Sequence, residues 1–140
     1  MERYSQAADK LKGIDSDVAY YYRGHSLLKL SKYLEAAGAF KRIYKNFKKS
    51  KYLESALYNK AEAFYKGENY DVAANDYFNF IKKFPNSNLI QYAYFKRGSS
   101  LFRIGKYKSA ISAYKKVVLN NGDKRLIAYA LYLTGECLIF

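Results

Sequence analysis

The chain has no tryptophan, one proline, one histidine and one cysteine among 140 residues. Each shortage closes a route. A single thiol, Cys137, cannot form an internal disulfide, a metal cluster or a redox pair, and its place in the apolar run Glu136-Cys137-Leu138-Ile139-Phe140 makes it a packing residue. His25 stands alone, and neither a glycine-rich phosphate loop nor a metal-spaced cluster occurs, so no catalysis and no cofactor is expected. No window of about 18 apolar residues is present, and a transmembrane helix is therefore not expected. Acids are scarce as well: 12 against 25 basic residues leave a formal charge of +13. That excess suits an anionic partner, or a surface simply decorated with lysine.

What is abundant is aromatic. Seventeen tyrosines and nine phenylalanines with almost no chain breakers predict large amphipathic rings carried on helices. They are placed with a fixed step. Ala19, Ala56, Ala93 and Ala130 are each 37 residues apart, as are Gly24, Ala61, Gly98 and Gly135. Tyr33, Tyr70 and Tyr107 form a third row, Ala36, Ala73 and Ala110 a fourth, and Phe40, Tyr77 and Tyr114 a fifth. A period between about 20 and 50 residues marks an array whose units bury their apolar faces by stacking on neighbours.

The pattern predicts an all-α chain, in which residues 1–14 are the tail helix of a preceding unit, 15–50, 51–87 and 88–123 are three repeats, and 124–140 is the first helix of a fourth. The stripe Tyr4, Ala7, Ala8 and Leu11 marks a helix from Met1 to Lys12. Asp15-Ser16-Asp17 caps the next, which runs to about Ser31. Further helices are expected at 33–48, 52–67, 70–84, 88–104, 107–119 and 124–139, with Gly67 and Gly105 opening turns and Pro85 closing a unit. Both ends fall in mid-repeat. The last helix should expose Leu131, Leu138 and Ile139, which reads either as truncation of a longer chain or as a self-association site.

The motif Gly98-x2-Leu101-x3-Gly105-x-Tyr107-x2-Ala110-x3-Tyr114, with Pro85 closing the previous unit, resembles the tetratricopeptide repeat. That family's usual period is about 34 residues, so roughly three are added per unit, expected at Phe84-Pro-Asn-Ser-Asn88, in the second helix or the loop. This variation, with Phe84-Pro-Asn-Ser followed by Ala93-Tyr94, is similar to the repeats of bacterial envelope adaptors of the β-barrel assembly lipoprotein and Tol-Pal partner type. The resemblance implies a right-handed superhelix of antiparallel helix hairpins, with first helices lining a concave groove. It also implies the bacterial envelope as compartment if the chain is part of a longer exported protein, and the cytoplasm otherwise.

With that orientation, helical phase points Tyr21, Tyr58, Phe95 and Tyr132 into the groove, with Leu28, Tyr65, Phe102 and Ile139 one face along and Lys29, Lys66 and Arg103 beside them. His25, Asn59, Glu62 and Ser99 complete the candidate site. Rings give large contact area at low entropy cost, and a row of cations favours carboxylates. The expected function is a scaffold that binds a protein segment or helix, acidic in character. A second basic row, Arg23, Lys60 and Arg97, is expected to pack its stems on a neighbouring helix. Some tetratricopeptide proteins clamp a terminal carboxylate; Asn59 matches one clamp position, but Tyr21 and His25 stand where lysine and asparagine would be needed. The alternative function is single-stranded RNA binding, since charge with stacking rings suits nucleic acid. Attachment to an anionic membrane through Lys41, Arg42, Lys45, Lys48, Lys49 and Lys51 is a third reading.

Overall fold

The computed structural model describes residues 1–140. It contains α1 (Glu2–Lys10), α2 (Asp17–Lys29), α3 (Tyr33–Asn46), α4 (Leu53–Lys66), α5 (Tyr70–Lys83), α6 (Ile90–Arg103), α7 (Tyr107–Leu119) and α8 (Lys124–Ile139), with no strand. Two compact units divide them, residues 1–69 and 70–140.

In the first unit, α2 begins where Ser16 accepts a hydrogen bond from the Ala19 N–H at 3.1 Å, with Asp17 in the first turn and Lys29 in the last. Cap and charges both oppose the helix dipole. α2 and α3 pair as a hairpin because small residues of one meet rings of the other. A Cβ added at Gly24 would lie 2.6 Å from the Phe40 ring. Phe40 is fully buried among Leu27, Ala36, Ala37 and Ile43, with Ala8 of α1 and Ala56 and Ala63 of α4 in the same core. Burying such a ring is worth about 1.5–3 kcal/mol.

The second unit repeats the device. A Cβ at Gly98 would meet the Tyr114 ring at 2.6 Å, and Tyr114 is fully buried with its hydroxyl donating to Ser99 Oγ at 3.3 Å. Its core continues through Leu101, Ala110, Val117, Ala130 and the buried Cys137. Asp123 caps α8 by accepting from the N–H groups of Arg125 and Leu126, which hold its carboxyl below the usual carboxylate range. The buried Gln91 side chain donates to the Val117 carbonyl at 3.1 Å and accepts from the Asp123 N–H at 2.9 Å, fixing the α7–α8 connection.

Turn residues differ from expectation at one place. The left-handed positions that end α2, α4 and α6 are Ser31 (φ 58°), Glu68 (φ 61°) and Gly105 (φ 75°), again 37 apart. Gly67 has an ordinary φ of −79° and serves instead as the C-cap of α4. The second helices α3 and α5, which precede the two junctions, are both 14 residues long. Both junctions make the same bonds: Ser50 N–H to Phe47 O and Leu53 N–H to Ser50 O in one, Ser87 N–H to Phe84 O and Ile90 N–H to Ser87 O in the other. These bonds delay the first helices to Leu53 and Ile90. Lys48 occupies in the first junction the place Pro85 takes in the second, so the proline is not required for the loop.

Candidate functional site

The first-helix face of the N-terminal unit is a continuous aromatic and polar surface. Tyr21 is the centre. Its ring stacks on Tyr52 with centroids 4.4 Å apart and meets His25 edge-on at 4.5 Å and Tyr22 at 5.4 Å. Its hydroxyl lies 3.5 Å from Ser55 Oγ, and Asn59 Nδ2 donates to Ser55 Oγ at 3.1 Å while standing 3.5 Å from His25 Nε2. Burial, and secondarily the Lys29 ammonium, push the His25 pKa down, so the imidazole is neutral at physiological pH. Lys29 and Lys66 are exposed, Tyr58, Glu62 and Tyr65 half-buried, and Leu28 packs at the edge of the core. Asn59 is therefore committed to its neighbours. No terminal-carboxylate clamp is assembled around it.

In the C-terminal unit the site residues separate. Phe95 is only 9% exposed, covered by Tyr114 at 5.9 Å and Tyr129 at 5.4 Å, and Ser99 is buried beneath the Tyr114 hydroxyl. Neither offers a surface to a partner, contrary to the expectation from helical phase. Covering explains the contrast with Tyr21. The residue 34 positions after Tyr21 is the small Ser55, whereas the residue 34 after Phe95 is Tyr129. The accessible rings here are Tyr132, 60% exposed, and Tyr129, which stack 6.2 Å apart, and Tyr92, whose hydroxyl donates to Asp123 at 3.2 Å. Phe102 lies half-buried against Tyr107 and Phe140, and the Arg103 guanidinium sits 4.7 Å above the Tyr70 ring. Tyr52, Ser55, Tyr92 and Tyr129 were missed by the sequence reading. The last three form a row, with Val18, that the same 37-residue step would have revealed.

In the second basic row Arg97 packs on a neighbouring helix. Arg97 is half-buried with its guanidinium 4.4 Å over the Phe78 ring, and burial lowers its pKa. Arg23 is also half-buried, its Nε carrying no hydrogen-bond partner. At the chain's C-terminal helix Leu131, Leu138 and Ile139 are 55%, 74% and 76% exposed, as the pattern required.

Hairpins of antiparallel helices recurring every 37 residues, with Gly24 facing the Phe40 ring in one unit and Gly98 the Tyr114 ring in the other, define a helical-repeat scaffold of the tetratricopeptide type. Residues 14–139 match the family YfiO, outer membrane lipoprotein, and the chain belongs to that family. Among solved structures it is similar to the MamA D159K mutant 2, with a TM-score of 0.69 at 17% identity over 96% of this chain and 75% of that one. At such identity the likeness speaks to fold alone. Comparison with curated protein sequences yields no match.

Proposed function

We propose that the chain is a non-catalytic adaptor of the bacterial envelope whose first helices hold an acidic segment of a partner protein. The observation that carries this reading is the Tyr21 cluster: stacked and edge-on rings already fixed against Tyr52, His25 and Ser55, with Lys29 at their border. Rings held in place before binding lose little entropy when a partner arrives. Exposed cations beside them draw carboxylates and set orientation. Membership in an outer membrane lipoprotein family supports the compartment.

The test is affinity capture from a solubilised envelope extract, with and without nuclease and at low and high salt, comparing the native chain with Tyr21→Ala. A protein partner retained after nuclease and at high salt should be lost in the variant by on the order of 30-fold in affinity, the effect of removing an aromatic anchor. Capture that Tyr21→Ala leaves unchanged refutes the site. Recovery that disappears with nuclease supports RNA binding instead.

A further inference from the structure

The second helix of the first hairpin and the junction after it carry a basic surface that borders the proposed adaptor face at Tyr52. Residues 41–51 contain Lys41, Arg42, Lys45, Lys48, Lys49 and Lys51, six of the chain's 25 basic residues, no acid, and every one of the six is exposed. At about 100° per residue, Lys41, Arg42 and Lys45 share one outward face of α3 with Leu34, which is 73% exposed.

The repeat does not require these charges. The equivalent positions 37 residues on are Phe78, Asn79, Lys82, Pro85, Asn86 and Asn88, with one cation among them, although the junction bonds are the same. The patch is also held in place. Lys48 sits 4.5 Å over the Tyr44 ring, Lys51 5.2 Å over Tyr52, and the Ser50 hydroxyl donates to Asp17 Oδ2 at 2.5 Å, pinning the loop to the start of α2.

The chemistry favours a lipid surface over nucleic acid. Single strands bind where exposed rings can stack bases, but the rings inside this segment, Tyr44 and Phe47, are half-buried, one under Lys48 and the other against Tyr20 at 6.2 Å. An anionic bilayer asks only for clustered cations, and an exposed leucine beside them can enter the headgroup layer. We infer that this patch docks the N-terminal unit on a membrane surface carrying anionic phospholipid headgroups.

The test is co-sedimentation of the full chain with vesicles of phosphatidylcholine alone or with about 30 mol% phosphatidylglycerol, at about 0.1 M salt. The patch variant is Lys45→Gln with Lys48→Gln and Lys49→Gln. The control, Lys108→Gln with Lys115→Gln and Lys116→Gln, removes the same charge from exposed positions of α7. Each cation near an anionic surface contributes about fivefold in partitioning. The patch variant should therefore lose on the order of a hundredfold, and the control far less. Three results overturn the inference: no preference of the native chain for the anionic vesicles, equal loss in both variants, or displacement from vesicles by a single-stranded oligonucleotide whose own binding needs the patch. Tyr21→Ala should still sediment with the vesicles, which separates this surface from the adaptor face.

Discussion

Gly98 and Gly135 occupy the same rung of the repeat, yet alanine should stabilise only the second. In a helix interior alanine is favoured over glycine by about 1 kcal/mol. At Gly135 an added Cβ meets nothing within 4 Å, so that gain stands whole. At Gly98 the Cβ would lie 2.6, 2.8 and 3.1 Å from three carbons of the Tyr114 ring, against about 3.5–4.0 Å for a relaxed contact. The ring cannot swing away freely, since Tyr114 is fully buried, packs on Phe95 and holds Ser99 through its hydroxyl. Overpacking of this kind costs about 1–3 kcal/mol, which exceeds or cancels the propensity gain. Gly98→Ala should thus be neutral to about 2 kcal/mol less stable and Gly135→Ala about 1 kcal/mol more stable, a spread of roughly 1–3 kcal/mol between two chemically identical changes. Urea unfolding followed by circular dichroism at fixed pH reads both. Gly98→Ala as stable as Gly135→Ala would show that the rung is not set by contact with the ring.

Two further outcomes follow from particular groups. Burial lowers the His25 pKa, so the unfolded chain takes up this proton first as pH falls: stability is full above about pH 6.5, declines as pH drops through the folded-state value, and levels off once both states are charged. His25 is the chain's one histidine, so urea midpoints at successive pH values down this range should fall for the native chain and less for His25→Gln; matching profiles would remove His25 as the cause. Glu68 holds a left-handed backbone, φ 61°, at the position where the next repeat has Gly105, and Glu68→Gly should stabilise by about 1 kcal/mol through relief of that conformation. A lower urea midpoint for Glu68→Gly would show that its side chain contributes more than its backbone strain removes.

The fold was legible because the helix pairs are held by size matching, which the sequence displays directly. Gly24 with Phe40 and Gly98 with Tyr114 stand in fixed rows before any coordinate is known, and the 2.6 Å that an added Cβ would leave to each ring explains why glycine stands there. The turns were less readable, since Ser31 and Glu68 adopt the left-handed backbone without being glycine, while Gly67, one residue earlier, keeps an ordinary φ. The candidate site was half visible. Helical phase tells which way a ring points, and it put Tyr21 and Phe95 in one row; it does not tell what lies above the ring. That depends on the residue 34 positions later, Ser55 in one case and Tyr129 in the other, so Tyr21 is half-buried at the edge of its core while Phe95 becomes core. Tyr52 lay beyond this arithmetic, because it stacks on Tyr21 from the junction rather than from a helix.

The two junctions, Phe47-Lys48-Lys49-Ser50 and Phe84-Pro85-Asn86-Ser87, are one joint with two coverings. Their outer bonds come from phenylalanine and serine, and the pair between is left to other uses. Such a joint separates two kinds of change that are usually entangled in a small protein. The middle pair can drift from charged to neutral without moving the helices on either side, so the electrostatic character of this surface can be retuned in single steps while the scaffold is inherited intact.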